Sequence, residues 1–140
     1  MTYKIVAKYI KDLSFEIQDA KSYFLLEKTI KDFIINFEIK SKKIKENIIE
    51  VDTTLYLLSK KDNKSSPISI TLSSVVNFEK KFEKEELQKI ILINVPQEVY
   101  SEIRSTLVYL FDKCGFKNVN FFDLTFGIST IFLGKKNDTK

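Results

Sequence analysis

The sequence predicts an α+β domain in which an antiparallel sheet is built first and a long helix is laid down after it. Three observations carry this. Four segments within the first 78 residues alternate apolar and polar side chains with period two. The polar connections between the later segments are short, which suits antiparallel neighbours better than crossover helices. After Pro96 the apolar residues recur at helical spacing instead. Strands followed by helices, segregated along the chain, define the α+β class. At 140 residues one domain spanning 1–140 is expected.

The first alternation starts at Tyr3. Its odd positions are Tyr3, Ile5, Ala7, Tyr9, Lys11, Leu13, Phe15 and Ile17, and these are expected on a buried face. The even positions, from Lys4 through Asp12 to Glu16, are expected on a wetter one. Tyr23-Phe24-Leu25-Leu26 then falls between strand patterns and reads as an irregular apolar segment. The second alternation sets Phe33, Ile35, Phe37 and Ile39 against Ile34, Asn36, Glu38 and Lys40. A Lys-rich connection from Ser41 to Asn47 leads to the third, with Ile49, Val51, Thr53, Leu55 and Leu57 on one side. The run from Lys60 to Pro67 is a loop, because Asp62-Asn63 takes tight-turn geometry and Pro67 limits backward extension of the next strand. The fourth alternation is Ile68, Ile70, Leu72, Ser74, Val76 and Phe78.

Beyond the sheet, Glu83 to Ile91 is expected as a short helix and Pro96 as a break. Val99, Ile103, Leu107, Leu110, Phe111 and Cys114 then form one helical stripe. Gly115 stands where a left-handed helix cap is wanted. Tyr100, Val108 and Tyr109 lie off the stripe, so this helix is too apolar to pack on one side only. It is expected either sandwiched inside the fold or against another subunit.

Composition removes several kinds of chemistry. The chain has no His, which excludes Ser-His-Asp and Cys-His nucleophiles, imidazole-bound metal and a histidine pH switch. Its one Cys makes no internal disulfide and is too few for a thiolate zinc site. Gly115, Gly127 and Gly134 are the only glycines, too far apart for a phosphate-cradling loop. No metal or cofactor is expected. The net charge of +4 is spread over both halves of the chain rather than gathered on one face, and no stacking motif accompanies it, so nucleic acid is not expected as a partner. No apolar run is long enough for a signal peptide or a membrane span, and a single thiol suits a reducing cytoplasm.

Four features remain as candidates. Cys114 sits on the helical stripe and reads as a small buried hydrophobe. Asp12 and Glu16 share a strand face, but four residues of strand separate them by roughly 13 Å, too far for a catalytic carboxylate pair. A docking patch for a basic partner is the functional alternative. The lysines at 40–45 and at Lys60-Lys61 are interleaved with acids and read as solubilising loop charge. The fourth feature is aromatic: twelve Phe and six Tyr include Phe121-Phe122 and Tyr23-Phe24 outside the strand patterns. An A/T-rich genome would account for their number but not for their positions. Apolar segments flanking a sheet can line a groove for extended polypeptide.

Tyr9-Ile10-Lys11-Asp12-Leu13-Ser14-Phe15-Glu16 resembles the opening strand of SecB, the bacterial protein-export chaperone family. Asn94-Val95-Pro96 leading to Tyr100 and Arg104 resembles the Pro-containing turn before that family's long helix, and Val119-Asn120-Phe121-Phe122-Asp123 resembles the stretch after it. The resemblance implies four strands, a long helix, a short C-terminal helical segment and a homotetramer built as a dimer of dimers. It implies a cytoplasmic holdase that binds unfolded polypeptide without ATP or cofactor, and is not an enzyme. By this resemblance Phe33, Ile35 and Phe37 line the client groove, with Phe78, Phe121 and Phe122 as neighbours. Asp12 and Glu16 match two acidic positions at which the family docks the SecA motor. Ser69 and Thr71 depart from the family pattern on the fourth strand, and the family's acidic character and acidic tail are replaced by a basic balance and the tail Gly134 to Lys140. A divergent relative dedicated to one partner, such as an antitoxin, is the alternative.

Overall fold

In a computed structural model of the chain the described residues are 2–59, 68–116 and 125–126. Strand β1 (Tyr3–Phe15) is followed by helix α1 (Ala20–Thr29), a short 3-10 turn, strands β2 (Phe33–Lys45), β3 (Ile48–Ser59) and β4 (Ile68–Phe78), helix α2 (Lys84–Lys89), helix α3 (Val95–Lys113) and the two-residue strand β5 (Thr125–Phe126). The sheet order is β1-β4-β3-β2-β5. The four long strands are antiparallel neighbours, as the alternation predicts, while β5 adds to β2 in parallel. The C-terminal helical segment expected from the resemblance falls largely outside the described residues, and within them the chain is this strand.

The second, third and fourth alternations lie as expected. Phe37, Leu55, Ile70 and Leu13 form one row across the sheet on the helix-covered side. The first alternation does not hold. β1 carries two register irregularities, at Ile5/Ala7 and at Ile10/Asp12. Each extra residue turns the side chains that follow to the opposite face. Between the two, Lys8 and Ile10 therefore share the helix side with Ser74 and Leu72, and Tyr9 sits with Ser73 on the polar side. After the second shift Leu13 and Phe15 return to the helix side.

The segment read as irregular is α1. Asp19 caps it, its Oδ1 accepting from the Ser22 backbone N–H at 2.8 Å, and this bond holds the Asp19 carboxyl below its ordinary pKa. α1 belongs to the connection that carries the chain from β1 at one edge of the four-stranded antiparallel part to β2 at the other.

Pro96 is not a break. α2 runs through a π-helical turn at Ile90–Asn94 straight into α3, with Pro96 in the first turn of α3. A wider turn ahead of a proline accommodates the missing N–H and the bulk of the ring. Ile90, Ile91, Leu92 and Val95 pack on Ile39, Ile49, Val51, Val76 and Phe78 as one cluster. The stripe Val99, Ile103, Leu107 and Phe111 packs on Ile35, Phe37, Leu55, Leu57, Ile68 and Ile70 as the other, joined by Leu26 and Ile30 of the α1 region.

α3 ends as the sequence predicts. Gly115 has φ +72°, its N–H donates to the Asp112 carbonyl at 3.1 Å, and the Phe116 N–H donates to the Phe111 carbonyl at 3.1 Å. This is a Schellman motif, completed by the edge-on contact of Phe116 with Phe111. A Cβ at Gly115 would meet only the Tyr23 hydroxyl at 3.8 Å, an ordinary contact, so its cost would be conformational. Gly115→Ala is expected to destabilise by about 1–2 kcal/mol, and Gly115→Asn by less. Thermal unfolding of the two variants checks this ordering; equal stability of Gly115→Ala and the parent would contradict it.

Candidate functional site

The apolar face of β2 does not lie open. Phe33, Ile35 and Phe37 are 9%, 1% and 3% exposed, and Phe78 is 5% exposed. The first three belong to the cluster under α1 and α3, and Phe78 to the cluster under the π-turn, so the structure separates Phe78 from the others. Phe121 and Phe122 lie outside the described residues.

Among the described residues the exposed large apolar side chains lie elsewhere, and α1 carries two of the most exposed. Leu26 turns into the core, whereas Phe24 and Leu25 are 58% and 62% exposed. Sequence periodicity missed them because Tyr23 to Leu26 is uniformly apolar and has no helical phase to read. Tyr23 fixes the helix: its hydroxyl donates to the Cys114 carbonyl at 2.7 Å, and its ring stacks on Phe116. α1 is thereby pinned to the end of α3 by its first turn, with Phe24 edge-on to Tyr23. Cys114 is half-buried, and burial pushes its thiol pKa up, the opposite of a reactive thiolate.

A second apolar area follows β1. α3 runs alongside that strand, with Glu98 accepting from the Tyr3 hydroxyl at 2.8 Å, Glu102 paired with Lys8, and Phe111 against Phe15. The exposed Ile10 and Leu13 therefore lie beside the stretch of α3 that carries the exposed Val108 and Tyr109. Tyr100, by contrast, turns inward and meets Phe37 edge-on.

The other face of the sheet is polar and internally tied. Tyr9 donates from its hydroxyl to Glu50 Oε2 at 2.6 Å, and Lys11 Nζ reaches Asp52 Oδ2 at 2.9 Å and Glu50 Oε1 at 3.3 Å. The Tyr9 hydrogen bond is the largest influence on the Glu50 carboxyl and, with help from the Lys11 ammonium, holds it below its ordinary pKa against the opposing effect of burial. The bond to Asp52 raises the Lys11 pKa. This network was hidden by the assumption of unbroken alternation in β1; the one signal of it was a lysine on a supposedly buried face. Asp12 lies on the same polar side, in a row with Thr71, Thr54 and Glu38, where the hydroxyls of Thr54 and Thr71 are 2.7 Å apart. Glu16 stands just beyond the end of β1, and both carboxylates are exposed. Ser69 pairs opposite Ser14 in the neighbouring row. No group of three Cys, Asp or Glu side chains able to hold a metal occurs among the described residues, and no helix there is long and apolar enough to cross a membrane.

Comparison with known proteins converges on one family. The model of the family described as preprotein translocase subunit SecB matches residues 1–135. A protein of Pelagibacter ubique carried under the protein-export name SecB is 33% identical over 121 residues, covering 85% of this chain and 86% of the relative. A SecB-like chaperone of Mycobacterium tuberculosis, solved in complex with a peptide from an antitoxin, superposes with a TM-score of 0.55 at 12% identity, over 81% of this chain and 85% of that one. The last of these concerns the fold alone.

Because Glu50 binds its proton less tightly in the fold than in the unfolded chain, its contribution to stability is fully present above its ordinary value of 4.5 and is lost as the pH falls through its lowered value. Tyr9→Phe is expected to raise the Glu50 pKa toward that ordinary value. A carboxyl-carbon NMR titration reads this directly, and an unmoved titration would show that Tyr9 does not set it.

Proposed function

The chain belongs to the SecB family, and from that premise we propose that it is an ATP-independent holdase for unfolded polypeptide, serving protein export in the cytoplasm. The observation that supports this best is the exposure of Phe24 and Leu25 on a helix whose position is fixed from below by Tyr23 and Leu26. Large apolar side chains held out into water on a braced helix gain from any partner that covers them. Removing apolar surface from water is worth roughly 25 cal/mol per Å², before ordering costs are subtracted. No precisely placed donor is needed, so the interaction tolerates many sequences. Several weak contacts along one long client then add by avidity.

In this mechanism α1 is the first contact. Phe33, Ile35 and Phe37 form the apolar layer beneath the α1 region, and Phe78, Phe121 and Phe122 are the further client-binding residues that the family resemblance implies. The activity is binding alone, with no substrate turned over. The apolar area at Ile10, Leu13, Val108 and Tyr109 is covered by further copies of the chain in a homotetramer arranged as a dimer of dimers. The polar face, through Asp12 and Glu16, docks a SecA-like motor that receives the client. A second reading is favoured by the departures at Ser69 and Thr71: a SecB-like module dedicated to one partner, such as an antitoxin, without a general export role.

The double variant Phe24→Asp/Leu25→Asp is expected to lose most suppression of aggregation of chemically denatured, unrelated clients. Because both side chains are exposed, its circular dichroism and melting temperature should stay near those of the parent. Retained suppression would remove α1 from the binding surface. Activity of the parent on one partner only would favour the dedicated module. For the motor, Asp12→Lys/Glu16→Lys is expected to weaken binding to the cognate SecA severalfold, more at low ionic strength than at high. Unchanged affinity in a titration would eliminate that docking role.

A further inference from the structure

The lysines of residues 40–45 stand on a strand rather than in a loop. β2 runs to Lys45 and β3 begins at Ile48, so only Glu46 and Asn47 form the turn between them. The Phe78 N–H donates to the Asn47 carbonyl at 2.8 Å, which ties this turn to the end of β4. Lys40, Lys42, Lys43 and Lys45 are all exposed, and none of them is in an ion pair among the described residues. Lys40 and Lys42 stand opposite Asp52 and Glu50. Those carboxylates are already engaged by Lys11, and Glu50 by Tyr9 as well. Glu46 is the only acid between Lys40 and Asn47.

The pairing gathers these cations on one face. Between Lys43 and Lys45 the strand carries one extra residue, Ile44. This bulge turns Lys45 to the polar side of the sheet, in a row with Ile48, Asn77 and Lys4. Unbroken alternation would have put Lys45 on the helix side with Lys43. Lys40, Lys42, Lys45 and Lys4 therefore face one way. Ile44 is 49% exposed in their midst. Lysines alone keep a strand edge from pairing. A large apolar side chain held out among them adds nothing to that protection and fits a partner that accepts both.

An anionic lipid surface accepts both. Its headgroups attract a lysine cluster of this size, and the boundary with the acyl chains takes up an aliphatic side chain as a second anchor. A single-stranded nucleic acid would share the negative charge, but it is held by aromatic stacking platforms, and residues 40–47 include no aromatic. We propose that the β2–β3 hairpin end is a docking surface for anionic membrane, with the lysines on the headgroups and Ile44 in the interface. This rests on the export reading and adds to it the place where the client is delivered. The row that holds Asp12 crosses β3 at Thr54, and the row that holds Lys4 and Lys45 crosses it at Ile48. Six residues of strand separate the two rows by roughly 20 Å, so a partner at Asp12 and a membrane at the hairpin do not compete.

The test uses the full chain with vesicles of phosphatidylcholine, alone or mixed with phosphatidylglycerol. The chain has no Trp, so Ile44→Trp reports its own surroundings. Its emission is expected to shift to the blue with the mixed vesicles and not with the neutral ones. In co-sedimentation, Lys42→Gln/Lys43→Gln/Lys45→Gln is expected to lose about a hundredfold in partitioning onto the mixed vesicles, the sum expected for three lysines at an anionic surface. Added salt should weaken the parent in the same direction. Lys84→Gln/Lys89→Gln/Lys113→Gln removes the same charge from the helices and should keep most of the binding. Equal losses in the two triple variants, or equal binding of the parent to neutral and mixed vesicles, would overturn the proposal. Binding of a fluorescein-labelled oligouridylate without binding to vesicles would overturn it in favour of RNA. The vesicle assay contains neither client nor motor, so its failure leaves the holdase reading standing. Conversely, vesicle binding retained by a Phe24→Asp/Leu25→Asp variant that still suppresses aggregation would support this surface while removing α1 from the client site.

Discussion

One helix closes one face of a four-stranded sheet. Val99, Ile103, Leu107 and Phe111 are each at most 2% exposed, and they lie on sheet residues from β2, β3 and β4 that are equally shut off from water. At roughly 1.5–3 kcal/mol for each large side chain fully buried, this contact outweighs the exposed ion pairs around it. The Lys8–Glu102 pair, for example, is open to solvent on both sides and belongs to a class worth at most about 1 kcal/mol. The seal works only if α3 keeps its rotation about its own axis. One residue more or less before it would turn its apolar stripe by about 100°. The π-turn at Ile90–Asn94 sets that phase, so that Ile90 to Val95 face one cluster and Val99 to Phe111 the other. The Schellman end and the Tyr23 hydroxyl then fix the far terminus, and with it the position of α1.

What was legible in the sequence follows from how uniform each element is. β2 as far as Ile39, β3 and β4 alternate without interruption on the helix side, and the register confirms the faces assigned to their alternating apolar residues. The Val99–Phe111 stripe and its glycine end were equally plain. β1 was legible as a strand but not in its facing, because a bulge is a property of pairing and leaves no mark on one strand taken alone. α1 was hidden by a run of four apolar residues, and the continuity of α2 with α3 by a proline that looks like a stop and acts as a first-turn residue. In the candidate site the same division holds. The apolar residues of β2 were correctly recognised as apolar and inward, yet inward here means covered by α1 and α3. The exposed pair Phe24 and Leu25 depended on a helix that periodicity did not show.

A chain that holds apolar side chains in water must still avoid adhering to its own copies without limit. The two kinds of exposed apolar surface meet this problem differently. Phe24 and Leu25 project from a helix whose own backbone hydrogen bonds are already made, and the exposed Lys21, Glu27 and Lys28 surround them. Such a surface attracts side chains but offers no backbone template that can propagate. A sheet edge does offer one, and there the lysines of β1 and of the far half of β2 raise the cost of stacking sheet upon sheet. A net positive charge adds repulsion between copies at long range. The near half of β2 stands apart from this scheme. From Phe33 to Ile39 it has no lysine; its one charge is Glu38, on the polar side of the sheet, and β5 lies against Ile34 and Ile35.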